Sequence, residues 1–163
     1  MKIAIYGKSF SQDFYPYMEK LLRLIAESDV KISIYKPFLD FINTISENKY
    51  ASVPTFNSVN EIASKAELMM SVGGDGTFLE SIPFVFHHDI PIIGINSGRM
   101  GFLANISKED IENAFSAILD GNYEIEYRTM IHFQTPGDIF GDMNFALNEI
   151  TIQKSDASLI TID

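Results

Sequence analysis

Five consecutive residues, Gly73-Gly74-Asp75-Gly76-Thr77, combine backbone freedom with one carboxylate and stand between an apolar run at 68–72 and a helix-like stretch. Glycines let backbone N–H groups approach phosphate oxygens with no Cβ in the way, and a helix N-terminus adds donors and a favourable dipole. Such a turn suits a chain of phosphates. A carboxylate inside it repels phosphate unless a divalent cation or a hydroxyl proton stands between them, so Asp75 needs a task of its own. The plain alternative is a turn residue or helix cap beside a Gly-rich bend, since Asp and Gly favour both places.

Two further segments carry polar or flexible residues in suggestive order. Gly94-Ile95-Asn96-Ser97-Gly98-Arg99-Met100-Gly101-Phe102-Leu103 follows a second apolar run, but Gly98 and Gly101 do not complete the G-x-G-x-x-G dinucleotide pattern, and alone it reads as a turn. Asn148-Glu149 sits in a β-like run, where a polar pair is ordinarily solvated surface. Adjacent strand residues face opposite sides, so both reach one ligand only through a bulge, a twist or the strand's end. His87-His88 beside Asp89 lacks a third ligand at a metal-site spacing and reads as solvated loop, so no dedicated metal site is assigned. His132 reads as structural, and Ser107 as a helix cap.

The elements that must position these residues alternate strand and helix in the first three quarters of the chain. Residues 3–6 are a short apolar run; Phe14, Tyr17, Met18, Leu21, Leu22 and Ile25 recur at helical spacing, with Pro16 tolerated in the first turn. Residues 31–35 read as a strand, and Pro37 opens a helix bearing Phe38, Phe41, Ile42 and Ile45. Ser58 and Glu61 form a capping box. Residues 68–72 and 91–95 read as buried strands far enough apart for a helical crossover, so a parallel pair is expected. The helix between them, at 77–86, contains Pro83, which predicts a kink or an early end. Ser107 and Asp110 start a helix that Gly121 stops.

After Gly121 the pattern turns to strands, with 123–135 and 144–153 expected to form a hairpin. The fold class is therefore α/β, a Rossmann-like parallel sheet over 1–124, followed at 125–163 by the first strands of an all-β domain. The apolar run at the end breaks off without turn or cap. This reading expects the β part to be unfinished and the 163 residues to be inactive alone.

Composition excludes several classes of function. With 22 acidic and 12 basic residues the net charge is −10, which argues against neutralising the backbone of a nucleic acid. There is no cysteine, hence no disulfide and no thiolate metal site, which fits a reducing cytosol. No apolar stretch is long enough for a membrane span or signal peptide, so a soluble, cytoplasmic protein is expected.

Taken together, the motifs resemble those of NAD kinases. The pentapeptide is similar to the signature shared by NAD kinases, diacylglycerol kinases and phosphofructokinases, and the second segment resembles the Asn-x-Gly-x-x-Gly-Phe-Leu element of the NAD kinases. Met100 stands where they more often have leucine, and the Gly-Thr-x-Asn-Asp of lipid kinases is absent. The resemblance implies phosphoryl transfer from ATP or polyphosphate to the 2′-hydroxyl of the adenosine ribose of NAD. It assigns Asp75 as general base or orienting group for that hydroxyl, Gly73, Gly74, Gly76 and Thr77 as the phosphate cradle, and Phe102, Asn148 and Glu149 to NAD. It further implies Mg²⁺ or another divalent cation carried with ATP, and a homodimer or homotetramer. A diacylglycerol-type lipid kinase and a non-catalytic nucleotide-binding module are the alternatives.

Overall fold

The structure, a computed structural model, describes residues 1–62, 66–98, 101–134, 137, 139–141 and 144–151. The chain divides into two units, Met1–Ile125 and Glu126–Asp163. In the first, five strands form one sheet: β1 (Lys2–Gly7), β2 (Lys31–Tyr35), β3 (Thr55–Phe56), β4 (Leu68–Gly73) and β5 (Ile92–Asn96). All neighbours run parallel, in the order β3-β2-β1-β4-β5. The helices between them are α1 (Tyr15–Ala26), α2 (Lys36–Ile45), α3 (Val59–Ile62) and α4 (Asp75–Val85), and α5 (Ile111–Leu119) follows β5.

Alternation along the strands splits the apolar side chains between two faces, as the two-residue period of a pleated strand requires. Ile3, Ile5, Ile34, Met70, Val72 and Ile95 pack with buried residues of α1, α2 and α5. Ala4, Tyr6, Phe56 and Met69 pack with Ile62 and Val85 on the other face. Covered on both sides, the sheet is a doubly wound α/β fold, as the alternating strands and helices predict.

Local signals work where expected, with instructive departures. Pro16 and Pro37 each lie in the first turn of their helices. The face of α2 is rotated from the expected one: Phe38, Leu39 and Ile42 are buried, while Ile45 is largely exposed. Pro83 falls in the last turn of α4, which ends two residues later and passes into a 3₁₀ turn at Phe86–His88. There the missing N–H and the ring clash with the preceding turn coincide with an early end of the helix rather than a kink in a longer one. Strand β3 was not foreseen, because two residues are too few to show alternation.

Helix α5 is entered through a 3₁₀ turn, with Ser107 Oγ bonded to Asp110 Oδ2 at 2.7 Å. It ends in a Schellman arrangement: the N–H of Asn122 donates to Ala117 O at 2.8 Å and that of Gly121 to Ile118 O at 3.2 Å, with Gly121 at φ +67°. Because the left-handed region costs an L-residue about 1–2 kcal/mol, Gly121→Ala is expected to lower stability by about that much. A urea midpoint equal to the parent's would show that this turn relaxes freely.

The second unit departs most from expectation. Among the described residues, the long strands expected at 123–135 and 144–153 are reduced to β6 (Ile131–His132) and β7 (Phe145–Ala146), paired antiparallel. An isolated two-stranded ribbon is marginal in water, and the described residues give this one no third strand. His132 sits in it with its ring against Phe145. The expected run beyond residue 151 lies outside the described residues. No helix among the described residues is long and apolar enough to cross a membrane.

Candidate active site

Crossovers leave β1 toward β2 and β3 on one side and continue through β4 to β5 on the other, so the direction of winding reverses between β1 and β4. Doubly wound sheets open a crevice at the carboxyl ends of their strands at that point, and ligands bind there. Gly73 ends β4 at this edge. Gly74 is the extended N-cap of α4, and Asp75 is the helix's first residue. A Cβ on Gly73 would run into the side chain of Thr77, whereas Gly74 and Gly76 face open space. The turn thus packs tightly behind and stays bare in front, with the α4 N-terminus behind a surface a phosphate oxygen can approach.

Asp75 does not cap its own helix. Its carboxylate reaches across to the segment after β5, where Oδ2 accepts the N–H of Phe102 at 2.9 Å and Oδ1 accepts those of Leu103 at 2.9 Å and Ala104 at 3.0 Å. Two glycines make room for this. A Cβ on Gly101 would collide with the Asp75 carboxylate, and one on Gly94 would lie 2.6 Å from Ala104 Cα and 2.8 Å from Leu103 O. The amides of Ala104, Phe102 and Leu103 hold the carboxyl below its usual range. A depressed pKa means that these bonds are in place above the ordinary aspartate value and are lost only as the pH falls through the lowered one.

Asn96, at the end of β5, locks the same segment from below. It is buried, its Nδ2 donates to Ala104 O at 3.1 Å, and its Oδ1 accepts the N–H of Gly98 at 2.7 Å. The backbone adds Ser97 N–H to Gly73 O at 3.2 Å, tying the two loops directly. Asn96 opens the Asn-x-Gly-x-x-Gly-Phe-Leu resemblance, but the sequence assigns its side chain no task. Its role as a clamp follows from the fold, which places it at the end of β5 under the loop it holds.

Lys8 is a residue that nothing in the sequence singles out. The register that pairs Gly7 with Val72 brings it to the same edge as Gly73. Its ammonium contacts Glu80 of α4 at 2.7 Å, and Tyr6 Oη donates to the same carboxylate at 3.3 Å. Burial, then the charge of Glu80, pushes the Tyr6 phenol far above its usual range. Lys8 and Glu80 are both half-exposed, so the pair adds at most about 1 kcal/mol of stability.

Of the residues expected to form the site, Gly73, Gly74, Asp75, Gly76, Thr77 and Phe102 are brought together. Phe102 presents its ring outward, 92% exposed. Asn148 and Glu149 belong to the second unit, both exposed, and lie past the end of β7, with Asn148 in a bend. The difficulty of two strand neighbours facing opposite ways therefore does not arise. Arg99 and Met100 lie outside the described residues.

The five parallel strands, with a Gly-rich turn and a carboxylate at their switch point, define a doubly wound α/β domain. The chain belongs to the ATP-NAD kinase family: residues 12–123 match the ATP-NAD kinase N-terminal domain. It is 36% identical over 163 residues to the NAD kinase of Cytophaga hutchinsonii, covering 99% of this chain and 56% of that protein. It is 35% identical to the NAD kinase of Flavobacterium psychrophilum, again over 56% of its length. The chain thus spans a little over half of the curated relatives it matches. Among solved structures it resembles yeast NADH kinase complexed with NADH, with a TM-score of 0.63 and 18% identity, over 78% of this chain and 40% of that one. That likeness shows a shared fold.

Proposed function

We propose that the complete protein transfers the γ-phosphoryl group of ATP to the 2′-hydroxyl of the adenosine ribose of NAD, forming NADP and ADP. The observation that carries this reading is the bare Gly74-Asp75-Gly76 turn at the switch point, its carboxylate fastened beside Phe102. In the reaction O2′ bonds to Pγ as the bond from Pγ to the β-bridging oxygen breaks, a step governed by positioning and charge stabilisation more than by strong proton abstraction. A carboxylate has about four acceptor positions, and three N–H groups occupy three of them, two on Oδ1 and one on Oδ2. The position left on Oδ2 suits a ribose hydroxyl. With its basicity held down by the same amides, Asp75 orients that hydroxyl rather than removing its proton early.

Gly73, Gly74, Gly76 and Thr77 form the cradle for the donor's phosphates. The residues here do not fit a dedicated metal site: among those described, no three His, Cys, Asp or Glu side chains converge, and amides already take three acceptor positions of Asp75. We therefore assign Mg²⁺ to the donor's own phosphates. A cytoplasmic homodimer or homotetramer goes with this reading through the family resemblance. The test is NADP formation by the complete protein with Mg²⁺, NAD and either ATP or polyphosphate. No NADP with either donor would overturn the proposal, and phosphorylation of diacylglycerol instead would restore the lipid-kinase alternative.

Asn148 and Glu149 are assigned to the acceptor. Glu149→Ala is then expected to weaken NAD binding by about 1.5–3 kcal/mol, the value of a charged hydrogen bond, while ATP binding changes little. Calorimetric titration of each nucleotide separates the two. Equal affinities for NAD in parent and variant would return the pair to ordinary surface.

A further inference from the structure

We infer that Asp75 is also a positioning residue, whose carboxylate fastens the 102–104 segment to the Gly-rich turn and so builds the acceptor wall that carries Phe102. The inference rests on the proposed function only for what that wall faces; the fastening stands on geometry alone.

The donors come from 27 to 29 residues further along the chain, and none belongs to the helix Asp75 begins. Asp75 is thus not placed as an ordinary first-turn acid, which would serve its own helix. Three consecutive amides converge on one carboxylate, with two glycines cleared for their approach, Gly101 against the carboxylate and Gly94 beneath Leu103 and Ala104. From the other side Asn96 holds Ala104 O and Gly98 N–H. The segment is therefore pinned at Ala104 on both its N–H and its carbonyl. Consecutive N–H groups around an anion make a nest, and here the anion is supplied by the protein itself.

One carboxylate with two tasks makes a specific pattern among variants. Alanine at 75 removes all three acceptors. Asparagine keeps Oδ1 for Leu103 and Ala104 but places an NH₂ opposite the Phe102 N–H, which cannot accept it. Alanine at 101 leaves the carboxylate chemically intact and pushes it aside. A residue used only to orient the hydroxyl would produce none of these differences in the ligand-free protein.

The experiment is residue-resolved amide hydrogen exchange on the full-length protein without nucleotides, comparing the parent with Asp75→Ala, Asp75→Asn and Gly101→Ala. The parent should protect Phe102, Leu103 and Ala104. Asp75→Ala should speed all three by about tenfold or more, and Gly101→Ala should do the same with Asp75 still present. Asp75→Asn should release Phe102 while Leu103 and Ala104 stay protected. With NAD and ATP added, Asp75→Ala should raise KM for NAD and lower kcat, whereas Asp75→Asn should act mainly on kcat. Unchanged exchange at the three amides in both Asp75→Asn and Gly101→Ala would overturn the inference, even where Asp75→Ala fails to fold. Failure to form NADP would instead count against the proposed activity and leave the exchange result standing.

Discussion

Asp75→Asn in the complete protein is expected to lower turnover by about 10²–10⁴-fold, the range for losing a group that handles the reacting proton, with KM for NAD within a few-fold of the parent's. The substitution is nearly isosteric, and the remaining Oδ1 can still accept the N–H groups of Leu103 and Ala104. What changes is Oδ2, whose remaining acceptor position becomes an N–H donor. An amide there cannot take the proton of a hydroxyl and turns the wrong polarity toward it. A fall in kcat with an unchanged KM is the signature of an interaction made mainly in the transition state. Steady-state rates with varied NAD and varied ATP, with circular dichroism to check folding, decide the matter. Turnover close to the parent's in a folded variant would remove Asp75 from the chemistry.

The lowered pKa of Asp75 gives this variant a companion in pH. Because the charged form is held by three amides, the carboxylate stays ionised throughout the neutral range, and its own titration lies on the acid side of an ordinary aspartate. A rise of rate with pH near neutrality would therefore belong to some other group.

What the sequence made legible follows from how local each signal is. The turn at 73–77 was readable because its chemistry is written in five adjacent residues after a run of buried apolar side chains. The helices starting near Pro16 and Pro37 and the stop at Gly121 were readable for the same reason: capping and φ preference act within one turn. The partners of Asp75 were not readable. They are backbone amides, which every residue but proline carries, and only the fold decides that those of Phe102, Leu103 and Ala104 point at this carboxylate. Gly94 and Gly101 look like flexible turn residues in sequence, yet they serve as clearance for neighbouring atoms. Lys8 escaped notice because its meaning comes from the register of β1 against β4, two strands separated by three α-helices and two other strands. Among the described residues, the β-like runs after Gly121 do not form long strands, for a related reason. Strand propensity reports a half-buried surface, and its realisation depends on partners that lie elsewhere in the chain.

Phe38→Ala is expected to cost about 3–5 kcal/mol, the usual loss for a buried phenylalanine, against the roughly 5–15 kcal/mol that holds a typical domain together. The ring is 1% exposed on the inner face of α2, with Phe10 packed edge-on at 6.0 Å between centroids. It also fills the space beside Gly7, where a Cβ would lie 2.6 Å from its Cε1 and Cζ. Gly7 ends β1 and pairs with Val72, the residue before the Gly-rich turn, so this ring supports the sheet edge on which the site is built. Neighbouring rings cannot move in to fill the gap without leaving their own places in a close-packed core, and a cavity therefore adds to the lost burial. Phe102→Ala provides the contrast: the same residue type, 92% exposed, should change stability by no more than about 0.5 kcal/mol. Urea unfolding followed by far-ultraviolet circular dichroism measures both, with an unchanged slope showing that the difference is one of stability. A loss below about 1 kcal/mol for Phe38→Ala would mean that α2 closes over the gap. The carboxyl end of β1 would then owe its place to the β4 ladder rather than to this ring.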